Sequence, residues 1–422
     1  MGSGNWKLMS HRYCIDQAAF EDGERVPLLV DRESGLPLLR PNLWAISARR
    51  QPGKAVNTIR QDLRWLAFLY AWADQNRIDL ESRFQALEFL TITEVESLTT
   101  AASEWLSDIN TVDLSGQRTR TPRASRVMRL PGTARQVRSA TVASRLLTAR
   151  AYLDWLAAKH LERRPVNDPT HIAAETSRTR LCTELTERIP SKKGRNMSGA
   201  REGLSAELVD AIIEVLVPGS TNNPWTSEFV QVRNQAMFHL QMGVGIRAGE
   251  LAKLKIQELD VQANTVLITR SPDDPEDDRK RAPQAKTRDR RLAVEPGIIR
   301  MITEYTLKYR RNLRGARKHP FLWAASRTGH AASIDVIFQL YRDLRRAIPE
   351  LPADFSSHVA RHTWNERFGE LCDARGIEPE DEHNMRNYQM GWNPFSRMSE
   401  IYTKRHTRIK TDQYSLDLQK RI

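Results

Sequence analysis

The carboxyl-terminal part of the chain contains a histidine and an arginine at helical spacing, followed by a tyrosine in a basic setting. His358 and Arg361 stand three positions apart in SSHVARHTW, so a helix would present both side chains on one face. Tyr402 lies in EIYTKRH, among basic residues rather than in an apolar run. A tyrosine hydroxyl needs a nearby base and positive charge to act as a nucleophile at neutral pH. His358 and Arg361 could supply both, which indicates nucleophilic chemistry at Tyr402.

A second arginine occupies an unusual position in GVGIRAGELAKLKIQELD, residues 243–260. Gly243 and Gly245 allow a sharp turn, and Arg247 then stands at the start of a predicted helix. The positive end of the helix dipole lies there, so an anion should compensate the guanidinium. Two anions fit this position: a bound phosphate, or the carboxylate of Glu250 in a structural salt bridge.

The composition predicts a protein of two domains plus a small extension, because 422 residues can bury two hydrophobic cores. Apolar content of 40% and charged content of 28% are ordinary for a globular chain. The charge balance is not ordinary, since 65 Lys and Arg against 52 Asp and Glu give a net charge of +13. This excess favours a partner rich in phosphate, such as nucleic acid. The alternative is a basic protein kept in solution by its charge.

The cysteines indicate neither a disulfide framework nor a zinc site. Cys14, Cys182 and Cys372 are far apart, odd in number and without CxxC spacing. No histidine or cysteine cluster and no paired aspartate motif suggests a metal, so we expect no cofactor. The N-terminus lacks the apolar core of a signal peptide, and no run of 18 apolar residues occurs. We therefore expect a reducing, cytoplasmic compartment.

The amino-terminal half is predicted to be helical after a short β-hairpin. In residues 20–46, the segments RVPLLV and LPLLR flank the turn-like DRESG and predict the two strands. Apolar residues at helical intervals then predict helices near 57–74 and 140–160, with weaker ones at 80–90 and 93–106. The basic segment 118–138 is predicted to be solvated, either against a phosphate backbone or as a disordered loop. Residues 162–203 show no sustained apolar period and have the composition of a linker.

The remaining residues predict a mixed domain. Helices are expected from Ser205, over 228–242, after Arg247, and over 298–312 and 333–348, with Trp323 in the core. NTVLITR at 264–270 reads as a strand, and a hairpin is expected within 282–296. The charged segment 271–281 between them is expected to be a solvated loop rather than a metal site, because its carboxylates lack liganding spacing.

Three motifs in order, GVGIRAGELAKLK, HVARHT and GW followed by IYT, resemble those of the tyrosine recombinase (phage integrase) family. The resemblance covers about 204–404, and a looser one runs back to about residue 57. It implies a mainly α fold: a helical, SAM-like core-binding domain and an α+β catalytic domain with a small antiparallel sheet. The implied organisation is an N-terminal extension 1–54, a core-binding domain 55–165, a linker 166–203, a catalytic domain 204–405 and a tail 406–422.

The resemblance also implies roles for six residues, which are Arg247, Lys286, His358, Arg361, Trp392 and Tyr402. In this family the tyrosine attacks a DNA phosphodiester and forms a 3′-phosphotyrosine without metal or ATP. Two arginines and Trp392 would bind the phosphate, while Lys286 would protonate the leaving 5′ oxygen and His358 would assist proton movement. The implied partners are double-stranded DNA and further copies of the chain in a tetramer, with accessory or partner recombinase proteins as a further possibility.

Two departures from the family pattern concern the register of the last motif. Trp392 precedes Tyr402 by ten residues where the family usually has nine, and RGIEPEDEHNM lengthens the preceding segment. Tyr388 and Tyr414 are the rival nucleophiles. His362 and Trp364 are predicted to support the site and the core.

Three functions remain in view. The first is a site-specific recombinase or integrase of a mobile element or phage. The second keeps the same chemistry but resolves chromosome or plasmid dimers, or relaxes DNA like a type IB topoisomerase. The third is a basic helical DNA-binding regulator without catalysis, against which the complete set of six residues argues. The DNA site itself cannot be deduced from the residue types.

Overall fold

The computed structural model describes residues 12–104, 137–191, 203–271, 273–279, 281–283, 287–396 and 404–420, with backbone alone over 404–410. Lys286, Tyr402 and most of the basic segment 118–138 lie outside the described residues. The described residues form two units, one of 12–20 with 24–191 and one of 21–23 with 203–420. Each unit has its own hydrophobic core.

The first unit combines a two-stranded antiparallel sheet with helices. Its described elements are β1 (Tyr13–Ala19), β2 (Arg25–Asp31), α1 (Leu39–Trp44) with a π-helical turn Ala45–Arg50, α2 (Val56–Gln75), α3 (Leu80–Gln85), α4 (Ile92–Ser103), α5 (Ser139–Leu161) and α6 (Pro169–Glu187). The predicted helices near 57–74, 80–90, 93–106 and 140–160 are thus confirmed, with shifted ends.

The predicted hairpin forms in part: across the turn DRESG, Val30 forms an isolated antiparallel bridge with Pro37, and the Leu38 N–H donates to the Leu29 carbonyl at 2.9 Å. β2 forms, but it pairs with β1, from Tyr13 opposite Asp31 to Ala19 opposite Arg25. The main strand partner of β2 is thus β1, and LPLLR continues into α1 after the single bridge. The Asn42 side chain of α1 binds both the N–H and the carbonyl of Leu29, at 2.8 and 2.9 Å, and so shares the second edge of β2 with residues 36–38.

The core of the first unit lies between α2 and α5, whose apolar stripes are buried as predicted. Arg145 of α5 is buried as well, at 5% exposure, although it is charged. Its guanidinium lies 5.0 Å from the ring of Phe68 and donates to the carbonyl oxygens of Ala102 and Glu104 at 2.8 and 2.9 Å. These are carbonyls at the end of α4 that lack helical partners, so the buried arginine terminates that helix.

The predicted linker contains a helix. α6 covers 169–187 and is capped by the Asp168 side chain. It buries Ala174, Leu181 and Leu185 in the core of the first unit. Arg178 Nε lies 2.7 Å from Asp154 Oδ1 of α5. The sequence hid this helix because its apolar face is narrow, with long threonine- and arginine-rich stretches between the buried residues.

The second unit is also mainly helical, with a three-stranded antiparallel sheet in the order β3-β4-β5. Its described elements are α7 (Ala206–Val215), α8 (Glu228–Val244), α9 (Ala248–Lys253), β3 (Leu259–Asp260), β4 (Thr265–Ile268), β5 (Arg290–Ala293), α10 (Pro296–Glu304) with the turns Tyr305–Tyr309 and Arg310–Asn312, α11 (Ile334–Ala347), α12 (Ser357–Ala374), α13 (Pro379–Met390) and α14 (Lys404–Gln419). The mainly α architecture with a small antiparallel sheet is therefore confirmed.

The charged segment 271–281 is not a solvated loop in its described part. Asp274, Asp277 and Arg279 are 4%, 2% and 9% exposed. Arg279 pairs with Asp277 at 2.7 Å and donates to the carbonyl oxygens of Ala252 and Ala332. Pairing of opposite charges and carbonyl acceptors offset the desolvation that would otherwise keep such residues at the surface.

Other features of the second unit agree with the sequence. The Ser205 side chain caps α7, and Trp323 is fully buried. Among the described residues, no helix combines the length and apolar character needed to cross a membrane.

Candidate active site

Arg247 is placed by a sharp turn between α8 and α9. Gly245 ends α8 with φ of +67°, a left-handed conformation that glycine adopts without strain. A Cβ at this position would lie 2.9 Å from the Met390 side chain and 2.9 Å from the Trp364 ring. The turn therefore packs closely against α12 and α13, and it brings Arg247 to the N-terminal boundary of α9.

Glu250 takes its main partners from elsewhere and not from the Arg247 guanidinium. Arg290 Nη2 lies 3.0 Å from Glu250 Oε2, and the Thr287 hydroxyl donates to Oε1. The Arg247 backbone N–H also donates to Oε2 at 2.9 Å, whereas its guanidinium is 3.5 Å away and its side chain is 26% exposed. Two anions were considered for Arg247, a bound phosphate and Glu250. Because Glu250 is bound largely by other donors, the Arg247 guanidinium remains available to a phosphate.

Arg361 reaches the same place from α12, where it is almost fully buried at 1% exposure. Its Nη1 donates to the carbonyl oxygen of Gly245 at 2.6 Å and its Nη2 to that of Met390 at 3.3 Å. The guanidinium carbon lies 5.5 Å from the centre of the Trp392 ring. Arg247 Nη1 is 3.5 Å from the same Met390 oxygen. The two arginines, distant in sequence, thus converge on one carbonyl at the end of α13.

His358 lies one turn before Arg361 on α12, as the spacing predicted. Its side chain is exposed, in contrast to the buried arginine. Of the two residues expected to support the site and the core, Trp364 stacks on Phe368 with ring centres 5.0 Å apart and donates from Nε1 to the carbonyl of Gly243. His362 is half-buried on the same helix.

Trp392 follows the end of α13 and is 7% exposed. Gly391, just before it, has φ of +66° and closes the helix. Its carbonyl accepts from the Arg288 N–H at 3.0 Å, which ties this turn to the segment that follows Lys286. Arg290 adds a second tie, because its Nε donates to the carbonyl of Gln389 at 2.7 Å.

Thr287 and Arg290 are the residues that sequence reasoning missed. Arg290 begins β5, whose burial alternates along RRLA, so Arg290 faces inward together with Leu292. A charge in phase with an apolar strand residue signals a buried partner. That signal was present in the sequence, but the partner, Glu250, is 40 positions away.

The electrostatics of the cluster favour an ionised Glu250. Burial alone would raise the pKa of its carboxyl, but the positive charges of Arg290 and Arg361 outweigh burial and hold the pKa below its ordinary value. The arrangement is a buried carboxylate beneath several guanidinium groups, one of them partly exposed. Such a surface attracts an anion with forked acceptors, such as a phosphate.

The described part of the site thus unites Arg247, Arg361 and Trp392 and places His358 one helical turn from Arg361. Lys286 and Tyr402 lie outside the described residues, although Thr287 is the immediate neighbour of Lys286. In the part of the chain that the structure describes, no three His, Cys, Asp or Glu side chains are grouped to hold a metal ion.

Residues 220–375 match the model of the phage integrase family. The matched range includes Arg247, Lys286, His358 and Arg361, and it ends before Trp392 and Tyr402. A search of curated protein sequences finds no match for the chain.

Three solved structures illustrate what the chain resembles. An integrase of the transposon Tn1549 in complex with transposon right end DNA shares 12% identity over 90% of this chain and 100% of its own, with a TM-score of 0.47. A lambda integrase tetramer bound to a Holliday junction shares 13% over 92% and 94%, with a TM-score of 0.41. The XerA recombinase shares 18% over 64% and 82%, with a TM-score of 0.37.

At such identities and TM-scores these likenesses carry no argument about function. The family model rests instead on the sequence of the second unit, from α8 and its preceding loop to the end of α12. The motifs of that sequence and the match agree: residues 220–375 match the model of the phage integrase family, the same family that the motifs resemble.

Proposed function

We propose that this protein is a site-specific DNA recombinase that acts in the integration or excision of a mobile element. It cleaves and rejoins DNA strands through Tyr402. The observation that carries the proposal is the convergence of Arg247 and Arg361 on the Met390 carbonyl, beside Trp392 and above the buried Glu250.

This convergence suits phosphoryl transfer. Forked guanidinium groups can each bind a non-bridging phosphate oxygen and neutralise the charge that develops there. Arg361 is buried and held by two carbonyls, so its orientation is fixed before DNA arrives. Arg247 is partly exposed and can turn toward a backbone phosphate.

The cleavage step is written as follows. The Tyr402 oxygen attacks the phosphorus, a bond from oxygen to phosphorus forms, and the bond from phosphorus to the 5′ oxygen breaks. The tyrosine loses its proton, with His358 assisting, and Lys286 donates a proton to the leaving 5′ oxygen. Trp392 offers an indole N–H to the phosphate.

The phosphotyrosine conserves the free energy of the broken linkage. A 5′ hydroxyl from another strand can therefore reverse the step without ATP, and the side chains named above supply the charge neutralisation without a metal ion. The proposed partners are double-stranded DNA, toward which the net charge of +13 provides long-range attraction, and further copies of the chain in a tetramer. Such a protein acts in the cytoplasm, at the nucleoid.

The tail offers a means of joining protomers. In α14, Tyr414, Leu416 and Leu418 are 69%, 55% and 65% exposed. Burial of these side chains on a neighbouring copy would stabilise an assembly around two DNA sites. Deletion of residues 408–422 is expected to abolish paired-site complexes while leaving single-site binding intact; unchanged complexes would contradict the role of the tail.

The test of the proposal is covalent capture of DNA in EDTA. A randomised duplex pool is first selected for binding, which supplies the site. Nicked suicide duplexes of that site are then incubated with the wild type and with Tyr402→Phe. We expect a protein–DNA adduct that survives denaturation with the wild type and is lost with Tyr402→Phe.

Matched controls address the rival nucleophiles. Tyr388→Phe and Tyr414→Phe each remove one exposed hydroxyl and should leave the adduct unchanged. An adduct that persists in Tyr402→Phe and disappears in either control would move the nucleophile. Tight binding without any adduct from the wild type would refute catalysis by this chain alone and favour a DNA-binding regulator.

A further inference from the structure

One buried carboxylate connects two segments of the second unit, the start of α9 and residues 287–290. The Glu250 side chain has no exposed surface. It accepts hydrogen bonds from the backbone N–H of Arg247, the hydroxyl of Thr287 and the guanidinium of Arg290. Each donor comes from a different position along the chain, so the carboxylate fixes their relative placement.

Arg290 extends these connections to the turn before Trp392. Its side chain is 1% exposed, its Nη1 lies 3.0 Å from the Thr287 hydroxyl and its Nε donates to the carbonyl of Gln389 at 2.7 Å. The donors of a lysine all radiate from one nitrogen, whereas the planar fork of arginine spreads its donors over three nitrogens and so spans these separated acceptors.

The packing at Gly391 shows how closely this guanidinium is enclosed. A Cβ at Gly391 would stand 2.7 Å from Arg290 Nη1 and 2.8 Å from the Cβ of Thr287. The Arg288 N–H binds the Gly391 carbonyl beside it. The residues that follow Lys286 are therefore held directly against the turn that carries Trp392.

The function proposed above underlies the next step, because it assigns the leaving-group proton to Lys286. We infer that Thr287 and Arg290 are positioning residues that hold the segment bearing Lys286 in register with Arg247 and Trp392 through the Glu250 carboxylate. They touch neither DNA nor the reacting atoms. Their loss would misplace the proton donor while leaving the phosphate-binding arginines in position.

A change of leaving group tests this inference. In a duplex with sulfur in place of the bridging 5′ oxygen, attack by Tyr402 breaks the bond from phosphorus to sulfur and releases a thiolate. Thiols have a pKa near 8.5, so this leaving group departs without a proton at neutral pH. A defect confined to proton donation is therefore corrected on the sulfur substrate, and a general loss of structure is not.

Thr287→Val removes the hydroxyl and keeps the shape of the side chain. On the oxygen substrate we expect adduct formation to slow about tenfold to a hundredfold, as for a weakened general acid. On the sulfur substrate its rate should return close to that of the wild type. Thr287→Ser retains the hydroxyl and should behave like the wild type on both substrates. Arg290→Lys should follow Thr287→Val.

Two variants in the same unit match these changes in chemistry. Thr303→Val alters a hydroxyl whose partner among the described residues is the carbonyl of Ile299, in its own helix. Arg310→Lys alters a buried arginine that donates to the carbonyls of Phe321 and His319. Neither residue contacts the Glu250 cluster, so neither change should alter the ratio of the two cleavage rates.

Lys286→Ala separates failure of this inference from failure of the proposed function. Correction of Lys286→Ala but not of Thr287→Val on the sulfur substrate would overturn the positioning role alone. If Lys286→Ala is not corrected, the assignment of the proton donor is wrong and the inference falls with it. Equal slowing of Thr287→Val on both substrates, or no slowing on either, would also overturn the inference.

Discussion

The two units each bury an arginine, and the partners of these arginines differ. In the first unit Arg145 lies against aromatic rings, and its partners among the described residues are backbone carbonyls at the end of α4. Burial without a neighbouring carboxylate lowers the pKa of Arg145 to about 10. The effect of this contact is to bind the free carbonyls at the end of α4.

In the second unit Arg290 pairs with Glu250, and the pair lies beneath Arg247 and Arg361. The carboxylate offsets part of the positive charge, and the backbone carbonyls of Gly245 and Met390 orient the rest. The outermost group of the cluster is therefore the partly exposed guanidinium of Arg247, whereas Arg145 binds the end of a helix.

This difference separates a structural arginine from one that supports a site. The backbone carbonyls around Arg145 accept hydrogen bonds from its guanidinium, and among the described residues they connect it to no other side chain of a site. The Glu250 carboxylate is shared among several donors and so fixes the positions of those donors relative to one another. Substitution of Arg145 should therefore change stability without changing chemistry, and substitutions within the Glu250 cluster should change chemistry, with or without stability. Four predictions examine this contrast, from the largest effect to the smallest.

Glu250→Gln should change both properties. It leaves Arg290 buried without its carboxylate, which costs about 3–5 kcal/mol of unfolding free energy, as for other broken buried pairs. Denaturant unfolding measures the loss, and suicide-substrate cleavage by the remaining folded protein should also fall. If stability drops while the cleavage rate of folded protein is unchanged, Glu250 is structural and the contrast between the units fails.

Arg247→Ala should affect chemistry alone. The Arg247 side chain is partly exposed, and its guanidinium is 3.5 Å from Glu250, a longer contact than that of Arg290. In the variant, Glu250 therefore keeps its ion pair with Arg290. Loss of one donor to the reacting phosphate is expected to slow cleavage by about 10²–10³-fold. The thermal unfolding midpoint should stay that of the wild type; a large fall in the midpoint would show that Arg247 belongs to the structural class.

Arg145→Met should show the opposite behaviour. It leaves the carbonyls of Ala102 and Glu104 without their buried donor, at a cost of about 1–3 kcal/mol. Because Arg145 is buried, the rate of adduct formation by folded protein should not change. A slower reaction at saturating DNA would show that the first unit also contributes to the chemistry.

The pH dependence of unfolding gives the smallest effect. The pKa of Glu250 is lower in the folded protein than its ordinary value of 4.5, so its ionisation contributes stability above that pH. This contribution is lost as the pH falls through the folded pKa. Wild-type unfolding free energy should therefore decline more steeply below pH 4.5 than that of Glu250→Gln. Parallel curves would contradict a depressed pKa.

Much of the secondary structure could be predicted from the sequence. The helices α2, α5 and α8 have regular apolar spacing, and local rules place their ends within a few residues. The errors arose where a distant group replaced a local partner. β2 pairs along its length with β1, while its predicted partner makes one bridge and shares that edge with Asn42; a narrow apolar face concealed α6.

The candidate site divides in the same way. The types and order of Arg247, Lys286, His358, Arg361, Trp392 and Tyr402 stand in the sequence, and with them the expectation of phosphate chemistry without a cofactor. The spacing of His358 and Arg361 is also local information, which is why these two residues could be placed one helical turn apart.

Only the tertiary structure decided which anion serves which cation. From the sequence, Glu250 was the nearest candidate partner for Arg247, but the fold brings Arg290 and Thr287 to it instead. The physical reason is desolvation: a fully buried carboxylate is tolerated only where several donors surround it, and these donors come from segments that folding alone brings together. Arg247 is thereby left partly exposed, in the position where the proposed reaction needs it.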